Sequence, residues 1–153
     1  MTRLTILIIA IFLIPANLVA VDEASLQAAH QMLIQAVDKS DVEMLISTVH
    51  PRAVAFFRPS QQPVQLTRTN SMRELAPSLL ADLAKFSATT YGRVYRVYGD
   101  TGVVLATVAM TPVAGMNKKK RTEYDRATYV YNRSSQGKWM LVSWHTSATP
   151  LNP

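Results

Sequence analysis

Apolar side chains first recur at three- and four-residue intervals at Leu26, Ala29, Leu33, Ala36 and Val37. That spacing predicts a helix with one buried stripe, capped by Asp22 and ending near Lys39. Ser40-Asp41-Val42-Glu43 has capping-box spacing, so a second helix is expected there, burying Val42, Leu45, Ile46 and Val49 and stopping at His50 before Pro51. Residues 54–58 and 64–66 carry short strand signals on either side of a Pro59-to-Pro63 loop. A further capping box, Ser71-Met72-Arg73-Glu74, opens a third helix with Leu75, Leu79, Leu80, Leu83 and Phe86 inside. Pro77 either kinks that helix or marks where its regular part begins.

From Ser87 the period shortens to two, and residues 91–98 and 103–113 read as strands joined by the turn Gly99-Asp100-Thr101-Gly102. A loop at 114–120 leads into a closing hairpin, strands 121–133 and 138–148, around Ser134-Ser135-Gln136-Gly137. Plain alternation along the last strand puts Trp139, Leu141, Ser143, His145 and Ser147 on one face and Met140, Val142, Trp144 and Thr146 on the other. Large groups on both faces imply a sheet covered twice, by helices on one side and by a partner subunit on the other. Helix, helix, two short strands, helix and a four-strand meander make an α+β chain.

The first twenty residues stand apart from this pattern. Met1-Thr2-Arg3 is a short cationic start, residues 4–14 are an apolar run, and Pro15 to Ala20 is a small-residue exit, which together read as a secretory signal cleaved near Ala20. The run is shorter than the ~20 residues a spanning helix needs, so the expected membrane contact is transient. The expected organisation is a signal at 1–20 and a single domain at 21–153, exported to the periplasm or secreted. The chain has no cysteine, so the domain relies on its core without disulfides.

The sequence carries 48% hydrophobic and 17% charged residues, a composition that argues against disorder. Without Arg3 the balance is 15 basic to 10 acidic side chains, a net of +5. Much of the excess lies in Lys118-Lys119-Lys120-Arg121, which reads as a solvated hairpin tip. No nucleic-acid motif accompanies it, and no nucleic-acid partner is expected.

The run ATYVYNRSSQGKWMLVSWHTSATP, with Gly137, Trp139, His145, Ser147 and Pro150, resembles the closing hairpin of small nuclear transport factor 2-like proteins. It is most similar to the SnoaL-like group that includes the association domain of calcium/calmodulin-dependent kinase II. The resemblance implies a highly curved sheet of mixed or antiparallel strands wrapped around three helices, a cone with a pocket at its open end. It also implies pairing of two cones through the outer sheet face. Relatives often carry two consecutive histidines where this chain has Trp144 then His145.

The three histidines, at 30, 50 and 145, lack the short spacings of a metal site, so neither metal nor cofactor is expected. His30 belongs to the first helix's stripe and reads as a packed core residue. His145 is the candidate proton carrier, aimed into the cone by strand alternation, with Asp125 as the carboxylate that would orient it. Arg126 is the candidate clamp for an anionic group, though it and Asp125 face opposite sides of the sheet and only the strand register decides which lines the pocket. Tyr91, Tyr95 and Tyr129 are candidate phenolic donors, and Arg93 or Arg96 a candidate pocket cation. The alternative for all of these is a structural polar network.

Three functions fit these residues. One is a non-catalytic dimeric module whose cone binds a small apolar or weakly anionic ligand. Another is an isomerase or cyclase that removes a proton beside a carbonyl, with His145 or a carboxylate as base. The third is an oligomeric protein-assembly module whose sheet faces serve protein contacts.

Overall fold

The computed structural model describes residues 16–56, 64–65, 71–113 and 122–149, with residues 16–20 and 64–65 described as backbone alone. The basic tip at 118–121 and the apolar run at 4–14 lie outside the described residues.

Helix α1 runs Ala16–Asp38, α2 Val42–Thr48 and α3 Met72–Leu83. The strands are β1 (Val49–Phe56), β2 (Val64–Gln65), β3 (Phe86–Tyr98), β4 (Thr101–Pro112), β5 (Glu123–Arg133) and β6 (Trp139–Ala148). They form one sheet in the order β2-β1-β6-β5-β4-β3. All neighbours are antiparallel except β1 and β6, which run parallel and make the sheet mixed. The α+β architecture and the closing meander are as the sequence implies.

Several boundaries differ from the sequence reading. Asp22 is not a cap: α1 begins six residues earlier, and the Asp22 carboxylate accepts a 2.5 Å hydrogen bond from Arg133 Nη1. Asp41, not Ser40, caps α2, accepting from Met44 N at 2.9 Å, because Ser40 takes φ 52° in the left-handed turn that ends α1. Phe86 starts β3 and is 39% exposed instead of sealing α3. The capping box of α3 is present, with Ser71 N donating to Glu74 Oε2 at 3.1 Å, and the helix continues through Pro77.

The core lies between α1 and one sheet face. Leu26, Leu33 and Ala36 of α1 meet Val104, Tyr129, Tyr131, Trp139, Leu141 and Trp144 from the strands, with Leu45 and Leu80 closing it from α2 and α3. Burial of this surface is the main term stabilising the fold. At the far end of α1, Arg133 also donates to Asp100 Oδ1 at 3.3 Å and stacks 5.0 Å from the Trp139 ring centroid. Trp139 Nε1 donates to Ser25 Oγ at 2.9 Å, so helix, β3–β4 turn and closing hairpin are tied at one point.

Gly102 of β4 lies directly against α1. A Cβ there would stand 2.6 Å from Leu26 Cδ1 and 2.9 Å from Leu26 Cδ2. Leu26 is fully buried and has little room to yield. Gly102→Ala should therefore destabilise the fold by about 1–3 kcal/mol through overpacking, read as a lowered urea midpoint; an unchanged midpoint would show that Leu26 can repack.

Two sheet faces and a buried histidine

Two β-bulges decide which side chains face the helices. Between β5 and β6, Val130 pairs with Ser143 and the next residue, Tyr131, pairs with Leu141, leaving Val142 as the extra residue. The insertion inverts the alternation. Trp139, Leu141 and Trp144 all face the helices, while Ser143, His145 and Ser147 face away. The expectation that His145 points into the cone is thereby corrected. It is exposed on the outer face, edge-on to Phe56 at 5.7 Å between ring centroids. In β3 the register slips between Tyr91 and Val94, around Gly92 at φ 57°, a backbone that glycine adopts freely.

The inner face carries one row across the sheet: Ala55, Trp144, Tyr129, Val104 and Tyr95 stand directly opposite one another on successive strands. His30 descends onto this row from α1. Its ring centroid is 4.7 Å from that of Tyr129, 6.0 Å from Tyr95 and 6.1 Å from Tyr131, all edge-on. Its Nδ1 lies 2.9 Å from the Tyr131 hydroxyl. If that hydroxyl donates, Nε2 carries the ring proton and is itself a donor. Among the described residues neither His30 Nε2 nor Tyr95 Oη has a hydrogen-bond partner, although both atoms are buried. An unmet buried donor costs about 1–3 kcal/mol, so these two atoms are ones that a water or ligand oxygen would satisfy.

The cluster is uncharged at neutral pH. Burial, with the positive charge of Arg93 adding to it, holds His30 down to about 4. Burial pushes the Tyr129 phenol up to about 12, opposed by Arg93 and by a hydrogen bond with Trp144. Burial likewise raises Tyr131 well above its usual range. Arg93, exposed at the β3 register slip, is the cation whose charge reaches both His30 and Tyr129. Arg96 is not: it donates to the Tyr95 carbonyl at 2.6 Å and reaches Glu23 at 3.7 Å.

The other expected residues divide as follows. Tyr95 and Tyr129 belong to the inner row. Asp125 is buried on the inner face and Arg126 is exposed on the outer. Asp125 and His145 are thus on opposite faces of the sheet, and the acid–base pair suggested by the sequence does not assemble. Asp125 is also four residues from Tyr129 along β5, ~13 Å at strand rise. Among the described residues no cluster suited to a metal ion occurs. His30 is the packed core histidine that its place in the helix stripe implies, buried and hydrogen-bonded to Tyr131. The signal that marks it is a histidine at a core stripe position, which needs a buried polar partner.

The outer face is apolar in the middle. One row runs Phe56, His145, Thr128, Leu105 and Val94 from β1 to β3, and the next runs Ser147, Arg126, Thr107 and Tyr91. Leu105 is 47% exposed, Tyr91 52% and Val94 40%, and Phe56, Tyr98 and Tyr124 are also exposed large hydrophobics. No described helix covers them. Single exposed apolar residues are ordinary, whereas a contiguous group across several strands marks a contact surface.

The family model of the calcium/calmodulin dependent protein kinase II association domain matches residues 22–150. No curated protein matches the chain. Among solved structures, the S. rosetta CaMKII hub superposes with a TM-score of 0.67 at 19% identity, covering 83% of this chain and 96% of that one. A Streptomyces avermitilis protein described as a dehydratase of the nuclear transport factor 2-like family gives 0.68 at 20% identity, covering 86% and 99%. A Xanthomonas campestris protein described as a calcium/calmodulin dependent protein kinase II association domain gives 0.64 at 21%, covering 83% and 87%.

Proposed function

The chain belongs to the calcium/calmodulin dependent protein kinase II association domain family, and from that premise we propose that it is a homo-oligomeric assembly module whose copies dock through the outer sheet face. The observation that carries this reading is the uncovered apolar row Phe56–Leu105–Val94, flanked by Tyr91, on the face away from the helices. A two-fold contact apposes the same patch from both copies, so each apolar side chain is used twice. The dimer is the smallest assembly consistent with this, and a ring built from dimers is its extension. Sedimentation velocity of residues 21–153 at micromolar concentration tests it: a dimer or larger species is expected, and a monomer throughout overturns the reading.

The inner cluster favours a second role in the same molecule, binding a small ligand that offers an acceptor oxygen. Among the described residues His30 Nε2 and Tyr95 Oη are two buried polar atoms without partners, Tyr129 lies against the His30 ring in the same aromatic wall, and Arg93 supplies positive charge. A weakly anionic or carbonyl-bearing molecule matches that lining. A thermal-shift screen of small carboxylates and ketones should find stabilising members whose effect falls at least tenfold in apparent affinity in Tyr95→Phe, since one donor is worth about 1.5 kcal/mol. Equal shifts in the wild type and Tyr95→Phe would remove the hydroxyl from the site.

The apolar N-terminus is consistent with export, the leader being lost near Ala20 and the mature chain starting one residue before the Asp22–Arg133 contact. Among the described residues no helix is long and apolar enough to cross a membrane. The intact mass of the protein recovered from its own cells distinguishes a processed chain from a retained leader.

A further inference from the structure

We propose that His145 makes docking of the outer face pH-dependent, so that assembly weakens as the pH falls through the ordinary histidine range. This inference rests on the assembly reading above. His145 occupies the middle of the contact row, directly opposite Thr128 on β5 and Phe56 on β1. In the free protomer its ring is solvated. Docking would surround it with Phe56, Leu105 and the same groups from the second copy, an apolar setting that disfavours the imidazolium.

The charges on this face work in the same direction. Arg126 stands in the adjacent row, opposite Ser147, one position diagonal to His145. Arg96 lies at the β3 end of the row through Val54, Ser143, Val130 and Val103. The described strand residues of this face include Tyr91, Tyr98 and Tyr124 as further titratable groups, and no carboxylate. An isologous contact doubles every one of these charges. Arg96 is already matched by Glu23 at 3.7 Å, so protonating His145 adds two buried cations beside Arg126 and its copy, with no carboxylate among the described strand residues of this face to pair them.

The sign follows by linkage. The docked state binds fewer protons at His145 than the free protomers, so association is strongest above the free imidazole pKa and declines below it. A two-fold contact holds two copies of His145, so the effect of pH on association counts twice. The other histidines are separable. His30 is buried and titrates near 4. His50 accepts from Arg52 N at 3.1 Å, at the start of β1.

The test is sedimentation velocity across pH 5 to 7.5 on the wild type, His145→Gln and the control His50→Gln. The expected result is a dissociation constant that rises at least tenfold towards pH 5 in the wild type and His50→Gln and stays flat in His145→Gln. Arg126→Gln should shallow the wild-type slope. An oligomer with no pH dependence, or one whose dependence persists in His145→Gln, overturns this inference and leaves the assembly reading standing. A monomer at every pH overturns both.

Discussion

Leu105→Glu is expected to turn the assembled protein into a folded monomer. Leu105 sits centrally in β4, between Thr128 and Val94, and is 47% exposed in the isolated protomer. A glutamate there is solvated in the monomer and should change its stability by no more than about 0.5 kcal/mol. In a two-fold contact the same change takes two carboxylates out of water in the apolar row, and a buried charge without a well-placed partner costs about 3–5 kcal/mol. At 1.4 kcal/mol per tenfold, the dissociation constant rises by at least about 100-fold. Gln31→Glu, on an exposed position of α1 away from the sheet, is the matched control and should leave assembly intact. Size-exclusion chromatography with light scattering reads both. Full assembly in Leu105→Glu would place the contact elsewhere.

The second large effect concerns stability in acid. His30 is fully buried, and its pKa falls from the ordinary 6.5 to about 4 on folding. Above pH 6.5 the imidazole is neutral in both folded and unfolded chains, and its contribution is fully present. Between 6.5 and 4 the unfolded chain takes up a proton that the folded one refuses, so stability falls as pH falls through that window. At 1.36 kcal/mol per unit, the loss attributable to His30 is about 3 kcal/mol. His30→Gln keeps a hydrogen-bonding group opposite Tyr131 and has no charge to gain. Urea unfolding of His30→Gln and the parent, both in the monomeric Leu105→Glu background, separates this term from assembly. The difference between the two proteins should shrink or reverse by about 3 kcal/mol from pH 7 to 4. Parallel pH profiles would mean that the histidine is reached by solvent.

Much of this fold is legible in local pattern. The stripe Leu26–Leu33–Ala36, the capping box at Ser71 and the turn ending at Gly137 are each set by residues within a few positions of one another, and each appears where the pattern puts it. The parallel pairing of β1 with β6 joins residues some ninety positions apart, such as Ala55 and Trp144, and no short-range signal encodes it. The site is where local reading fails. A strict period of two assigns His145 to the interior, and one extra residue at Val142 sends it to the outside. Neither strand advertises that bulge: Leu141-Val142-Ser143 contains no glycine. The same slip is what gathers Trp139, Leu141 and Trp144 on one face, since three large apolar groups gain more from burial than two and a histidine. His30 was visible as a stripe residue. Its partners Tyr95, Tyr129 and Tyr131 come from two other strands, and only the register of β3, β4 and β5 brings them under it.

The central claim, that copies of this chain meet through the outer sheet face, is open to a direct test because the chain has no cysteine. Single cysteines placed at Thr107, Thr128 or Ser143 report on that face, and cysteines at Gln27, Gln31 or Gln35 report on the exposed side of α1. Each protein is oxidised at low micromolar concentration and its covalent dimer quantified by mass spectrometry. The account expects rapid, near-complete cross-linking at one or more outer-face positions, where a two-fold contact brings a residue near its own copy, and only slow random dimers from α1. Preferential cross-linking through α1, with the sheet positions inert, would contradict it.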